Sequence, residues 1–259
     1  MPEGDTVYRA AARLNAALAG RVLTRSDFRV PAFATVDLTG RTVDQVLPRG
    51  KHILHRIGDL TVHSHLKMEG RWDVYAPGER WRRPAHQARA VLDAEGVSTV
   101  GFSLGILEVV PRDQEDTIVG YLGPDLLGPD WDAALAEANL VADPDRPVGL
   151  ALLDQRVMAG LGNVYRNELC FLRGVLPTRP VGTVSDPTRM VALAQRLIVT
   201  NRDRNERVTT GDMRPGRRSW VYNRAGRPCL RCGTRIRHGE LGESELTLRD
   251  TYWCPHCQH

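Results

Sequence analysis

The rhythm of hydrophobic and polar positions changes three times along this chain. Val7, Ala11, Leu14 and Leu18 recur at helical spacing, so the pattern predicts an amphipathic helix over 6–18. Asp5 or Thr6 is placed to cap its start and Gly20 to stop its end. From about 21 to 112 the runs shorten and alternate: RVLTRSDFRV, TVDQVL, KHILHRI, LTVHSHL, RWDVYA, ARAVLDA and ILEVV. Gly, Pro and polar turns break them, which is the pattern of an antiparallel sandwich or barrel. After the Gly/Pro/Asp-rich LGPDLLGPDW the chain turns helical again. AALAEANL, VGLALLDQRVMA, NVYRNELCFLRG and PTRMVALAQRLIVTNR all carry helical periodicity, the third entered through the glycine turn 160–162.

The expected fold class is therefore α+β and multidomain. A β-sandwich with a leading helix occupies 1–125, a helical domain 126–217, and a small cysteine-bearing hairpin 218–259. The last is too short for a core of its own, so a metal is expected to order it.

Cysteine spacing supports that expectation. Cys229 and Cys232 form one CxxC pair, Cys254 and Cys257 another, and Cys170 stands alone in an apolar helical run. Each pair can grip one metal from a tight turn, and two turns complete a tetrahedral shell, so structural Zn2+ is the favoured reading. Disulfides fit a reducing compartment poorly, and a redox CxxC has no use for a second pair. Cys170 reads as a buried small hydrophobe rather than a nucleophile.

Composition narrows the class. At 42% hydrophobic and 25% charged, 259 residues make an ordinary globular protein. No run approaches the roughly 20 apolar residues of a membrane span. The start, MPEGDTVYRAAARL, carries early acids and no apolar stretch, so no secretory signal is expected and the cytoplasm is the default location. The net charge of +4 suits a polyanion without requiring one. Residues 214–237 hold eight arginines and no acid, interleaved with Trp220 and Tyr222, which points to a phosphate backbone. Arginine-biased coding is the bland alternative, since Lys51 and Lys67 are the only lysines.

Four ordered blocks give these parts a common meaning: MPEG, RGK with SHLKM, LLDQRVMAGLGNVYRNE, and RDTYWCPHCQ. Together they resemble the formamidopyrimidine-DNA glycosylase/endonuclease VIII superfamily, and endonuclease VIII more closely, over nearly the whole chain. The resemblance implies a helix-two-turn-helix domain and a zinc finger behind the sandwich. It implies a monomeric bifunctional DNA glycosylase and abasic-site lyase in base excision repair, acting on damaged duplex or single-stranded DNA.

Within that resemblance Pro2, exposed once Met1 is removed, matches the nucleophile. An α-amino group, with a pKa near ~7.7–8 against ~10.4 for lysine, offers a large neutral fraction for iminium formation. Glu3 matches the acid/base, although its place also suits a helix dipole. Thr6 stands where better-known members carry a second glutamate, with Asp5 beside it. Lys51 matches a phosphate-gripping lysine on a strand-to-strand turn. His65 matches a phosphate-contacting histidine, and a purely structural histidine fits as well. Met68 matches the apolar wedge that replaces an extruded base; a core methionine at a strand end is the alternative. Lys67 and Glu69 flank it. Asn163 matches an anion contact at a helix start, or a plain N-cap. Arg249 matches the finger arginine that reaches the damaged nucleotide's phosphate.

Two departures bear on substrate. Against the resemblance, TVGFSLGILEVV lacks the Arg-x-Phe pair with which formamidopyrimidine-DNA glycosylase fills the gap opposite the orphan base, and TTGDMRPGRRSW is short for that enzyme's lid over 8-oxoguanine. Both favour oxidised pyrimidines. A glycosylase for oxidised purines, a non-catalytic damage-binding protein and a zinc-ribbon transcription factor are the rivals.

Overall fold

The structure, a computed structural model, describes residues 2–259. They form two compact units, the first ending at Tyr121 and the second running from Leu122 to His259. The segment 218–259 belongs to the second of these.

In the first unit helix α1 (Gly4–Leu18) precedes eight strands: β1 (Leu23–Phe28), β2 (Val43–Arg49), β3 (His52–Ile57), β4 (Leu60–His65), β5 (Arg71–Tyr75), β6 (Ala88–Ala94), β7 (Val97–Phe102) and β8 (Ile106–Pro111). They pair as two four-stranded antiparallel sheets, β1-β6-β7-β5 and β2-β3-β4-β8. α1 packs on strands of both sheets, chiefly β2. Its stripe of Val7, Ala11, Leu14 and Leu18 is buried, as the spacing predicts, with Leu23, Ile53, Val62 and Trp72. The helix begins two residues earlier than expected, and Glu3 rather than Asp5 or Thr6 is its N-cap. Asp5 is inside the helix, its carboxylate accepting from the Thr6 N–H at 2.7 Å. Strand β7 follows a two-residue turn after β6, and the alternating reading passed over it. Four of its residues in succession are buried, as in β3 and β4, but its sequence, with Gly101 and two small hydroxyl residues, is less apolar than theirs.

A short helix α2 (Asp116–Val119) ends the first unit, and the chain from Glu115 to Tyr121 lies over the outer face of β3 and β4. Glu115 accepts from Arg56 at 2.6 Å and from Thr61 at 2.5 Å. The Tyr121 hydroxyl sits 3.2 Å from His52 Nε2.

The second unit contains α3 (Ala133–Val141), α4 (Val148–Ala151), α5 (Asn163–Arg173) and α6 (Pro187–Asn201), then the hairpin β9 (Arg237–Leu241) and β10 (Arg249–Trp253). Asp132 and Asp186 cap α3 and α6 by accepting from Leu135 and Arg189 N–H groups. Gly174 ends α5 at φ +69°, the left-handed turn that a residue with a Cβ adopts at a cost. The helix expected over 148–159 stops at Ala151. Beyond it, polar side chains bond the local backbone. Asp154 accepts from Arg156 N–H, and Gln155 accepts from Gly160 N–H while donating to the Leu153 and Leu161 carbonyls. These bonds offer the chain an alternative to the helical ladder.

Candidate functional site

Pro2 is half-buried, and Glu3 beside it is completely buried at the amino end of α1. The sequence folds this way because the Glu3 carbonyl accepts from the Thr6 and Val7 N–H groups, opening the helix at residue 4. The end of a helix that carries partial positive charge therefore adjoins a carboxyl group sealed from water. Thr6, the departure noted above, gives its hydroxyl to Asp5 at 3.2 Å. Met1 lies outside the described residues.

Lys51 sits on the turn between β2 and β3, next to Gly50, whose φ of +57° makes the reversal tight. Register places His52, the next residue, opposite His65 at the end of β4. Lys51 and His65 are thereby brought to the same end of one sheet. Burial, reinforced by Lys67 and Lys51, pushes His65 down to about 4, so it is neutral at pH 7. Its Nδ1 accepts from the Lys67 N–H at 2.9 Å, which leaves the proton on Nε2. His65 is thus a neutral hydrogen-bond donor rather than a cation.

Met68 follows Lys67, which holds a left-handed φ of +50°. The methionine is 65% exposed, so the core alternative is excluded. The Lys67 stem packs against Gly105, where any Cβ would collide with it.

In the second unit four cysteine sulfurs, from Cys229, Cys232, Cys254 and Cys257, lie within 4.8 Å of one another. The Cys232 and Cys254 sulfurs are 3.5 Å apart, too far for a disulfide. Tetrahedral bonds of about 2.3 Å to one metal would set sulfurs about 3.8 Å apart, so the cluster fits such an ion. Cys170 is fully buried on α5, with its thiol pushed up to about 12 by burial, which makes it inert.

Asn163 is not an N-cap. Gly162 holds that position, and the Asn163 amide donates to the Asp250 carbonyl of β10 at 2.9 Å. Arg166 donates to the same carbonyl and to Thr251 Oγ1, each at 2.8 Å, while Asn167 Oδ1 accepts from the Tyr252 N–H at 2.7 Å. One turn of α5 therefore grips the strand that begins at Arg249, itself exposed. Glu168 completes the grip. Its carboxylate accepts from the N–H groups of Trp220, Val221 and Tyr222 at 2.8–2.9 Å, and from the Thr209 hydroxyl.

Arg166, Asn167 and Glu168 escaped the sequence reading. Three successive polar residues in a helix suggest a solvated face, yet all three are fully buried. The basic stretch 214–237 is also different from its first reading. Arg214 and Arg217 pair with Asp212, and Arg218 with Glu206, acids just upstream of the window. Arg224 bonds the Gly216 and Pro228 carbonyls. Arg231 lies over the rings of Phe171 and Trp220. Much of this basicity holds the finger together.

The chain belongs to the formamidopyrimidine-DNA glycosylase family, a class of DNA glycosylases and abasic-site lyases. Residues 1–103 match that family's N-terminal domain and residues 122–201 its H2TH domain. Among curated relatives, the chain is 58% identical to a "Probable endonuclease 8 2" of Streptomyces coelicolor, covering 100% of this chain and 94% of the relative. It is 57% identical to the "DNA-(apurinic or apyrimidinic site) lyase Nei2" of Mycolicibacterium smegmatis, over 100% and 99%. Among solved structures, a Lactococcus lactis Fpg with DNA containing an abasic site shares the fold at a TM-score of 0.82 and 22% identity, over 99% of both chains. No helix among the described residues is long and apolar enough to cross a membrane.

Proposed function

We propose that this enzyme excises oxidised pyrimidines from DNA and cuts the resulting abasic site by β,δ-elimination, with Pro2 as nucleophile. The observation that carries the reading is the pairing of half-buried Pro2 with a wholly buried Glu3 at the start of α1. With Met1 removed, the neutral secondary amine attacks C1′ of the damaged nucleotide while Glu3 protonates the opening sugar. The base leaves with the proton that the amine sheds, the ring opens, and the C1′ iminium that remains acidifies the C2′ proton. Glu3, then a carboxylate, takes that proton, and the 3′ phosphate departs. A second elimination expels the 5′ phosphate.

Lys51 and His65 hold the backbone phosphate beside the lesion, one by charge and the other through its Nε2 proton. Met68, exposed on its turn, fills the space left by the extruded nucleotide. Asn163 and Arg249 supply phosphate contacts from the second unit, and the Asn163–Asp250 bond keeps them adjacent. Zinc held by Cys229, Cys232, Cys254 and Cys257 would order the finger and take no part in the reaction. Preference for pyrimidines is supported by the relatives' designation as endonuclease 8 and by the short β7–β8 connection, residues 103–105, which offers no side chain like the absent Arg-x-Phe pair. The enzyme is proposed to act as a monomer in the cytoplasm, where it meets chromosomal DNA.

Incision of end-labelled duplexes tests this. A 5-hydroxyuracil duplex is expected to yield 3′-phosphate ends, and an 8-oxoguanine duplex far less product. Binding to abasic-site analogues without any cleavage would instead identify a non-catalytic damage-binding protein.

A further inference from the structure

The outer face of sheet β2-β3-β4-β8 carries a row of titratable side chains, of which only His65 has a part in the chemistry above. His52 pairs with His65, and His63 pairs with Glu108, so alternation sends all four to one face. Glu108, His63 and His52 connect in order, ending at Tyr121. His63 Nδ1 lies 3.0 Å from Glu108 Oε2, His63 Nε2 lies 2.8 Å from His52 Nδ1, and His52 Nε2 lies 3.2 Å from the Tyr121 hydroxyl. Both imidazoles are buried, while Tyr121 is 53% exposed and the Glu108 side chain 44%. Two buried histidines thus join two exposed ends.

A carboxylate only accepts, so the direction of every bond in the neutral chain is fixed. His63 carries its proton on Nδ1, His52 carries its own on Nδ1, and the Tyr121 O–H donates inward to His52 Nε2. Burial foremost, then His63, His65, Lys67 and Lys51, pushes His52 down to about 3. Burial also lowers His63 against the pull of Glu108. The groups facing His52 are Arg49 on β2, Lys51 on the turn, His63 and His65 on β4, Lys67 beyond it, and Tyr121. Glu108 on β8 faces His63. Without an anion at this face the chain is neutral at pH 7.

One added proton reverses it without losing a bond. A solvent proton adds to the Tyr121 oxygen, whose own proton passes to His52 Nε2. The His52 Nδ1 proton passes to His63 Nε2. His63 becomes an imidazolium between Glu108 and His52, and the Tyr121 O–H now points outward as a donor. A phosphate oxygen at Tyr121 favours this charged state, and neighbouring Lys51 and His65 draw a phosphate to the same sheet end.

We propose that Tyr121 is a further contact for a DNA phosphate, and that His52, His63 and Glu108 form a relay storing the proton taken up when that phosphate binds. This rests on the reading of the Lys51–His65 face as the phosphate grip. The test is fluorescence anisotropy of a duplex carrying a tetrahydrofuran abasic analogue, at pH 6 and pH 8, with wild type, Tyr121→Phe, Glu108→Gln and the double variant. Wild type is expected to bind about tenfold tighter at pH 6 than at pH 8, as uptake of a proton with a bound-state midpoint near pH 7 gives. Each single variant flattens that difference to about twofold, and the double is no flatter than either, because one chain links two residues that do not touch.

Variants that keep the wild-type pH dependence, or whose losses add, overturn the relay while leaving the phosphate grip intact. A wild type that binds at neither pH overturns the grip as well. Nitrogen-15 shifts of the DNA-free protein at pH 7.5 report the relay independently. Nδ1–H tautomers are expected at His52 and His63, and an Nε2–H tautomer at either contradicts it.

Discussion

In residues 1–121 the candidate catalytic residues rest on a sandwich with a continuous apolar core, in which α1 and both sheets take part. In residues 122–259 the finger that carries Arg249 has a core of six buried residues: Phe171, Val221, Cys229, Ile236, Tyr252 and Cys254. Two of these are cysteines of the metal-binding cluster, and Phe171 belongs to α5. Half-buried Leu172, Trp220 and Tyr222 pack against this core, and much of the remaining attachment is polar, chiefly through Asn163, Arg166, Asn167 and Glu168. In the first unit Glu3 is wholly buried at the start of a helix whose apolar stripe is part of that large core. The finger lacks that mass, so directional bonds and a metal must supply what area cannot.

The largest difference should come from removing metal. Structural zinc contributes about 10–16 kcal/mol in isolated fingers. Chelation, or Cys254→Ser, is therefore expected to disorder residues 218–259 and weaken DNA binding at least about a hundredfold. Hydrogen exchange in α1 and the two sheets should stay unchanged. Equal loss of protection in both units would break the contrast.

Glu168→Ala comes next. It strands three backbone N–H groups in a buried place, at about 1–3 kcal/mol each. A loss of roughly 3–5 kcal/mol in urea unfolding of the second unit is expected, allowing for partial relaxation. A loss under about 1 kcal/mol would show that apolar contacts hold the finger after all.

The first unit has a weakness the second lacks. His55 is fully buried against Trp72, and burial pushes it down to about 4. Unfolded, it titrates near 6.5, so the unfolded chain binds the extra proton between these values. Its contribution is complete above about pH 6.5 and is lost as pH falls through about 4, amounting to roughly 3 kcal/mol. Denaturation of wild type and His55→Leu across that window should give curves of different slope, and parallel curves would remove His55 as the cause.

Met68→Ala should change stability by less than about 0.5 kcal/mol, since the side chain is exposed. Excision from duplex DNA should nevertheless slow about tenfold, as expected for an unstacking wedge worth a few kcal/mol. Unaltered excision would return Met68 to the status of an ordinary surface residue.

The units also differ in how much of them the sequence disclosed. Helical spacing gave α1, and short apolar or alternating runs bounded by turn residues gave seven of the first unit's strands. β7 reads as TVGF, too short an apolar run to stand out after its two-residue turn, and 152–159 lost its helix to the side chains of Asp154 and Gln155, which no periodicity records. The cysteine pairs and MPEG were legible because their chemistry needs particular residues at particular spacings. Arg166, Asn167 and Glu168 were not, since a buried polar residue looks like a solvated one until its partner, distant in sequence, is known. The same holds for His52 and His63, separated by a whole hairpin and adjacent only through register.

The central claim is that the amine of residue 2 attacks the sugar. Borohydride reduction during reaction with an abasic-site duplex, followed by peptide mapping, tests it most directly. The account expects one covalent adduct, on the amino-terminal peptide at Pro2, and its loss in Pro2→Gly with Met1 confirmed as removed. An adduct on Lys51 or Lys67, or undiminished trapping by Pro2→Gly, would contradict it.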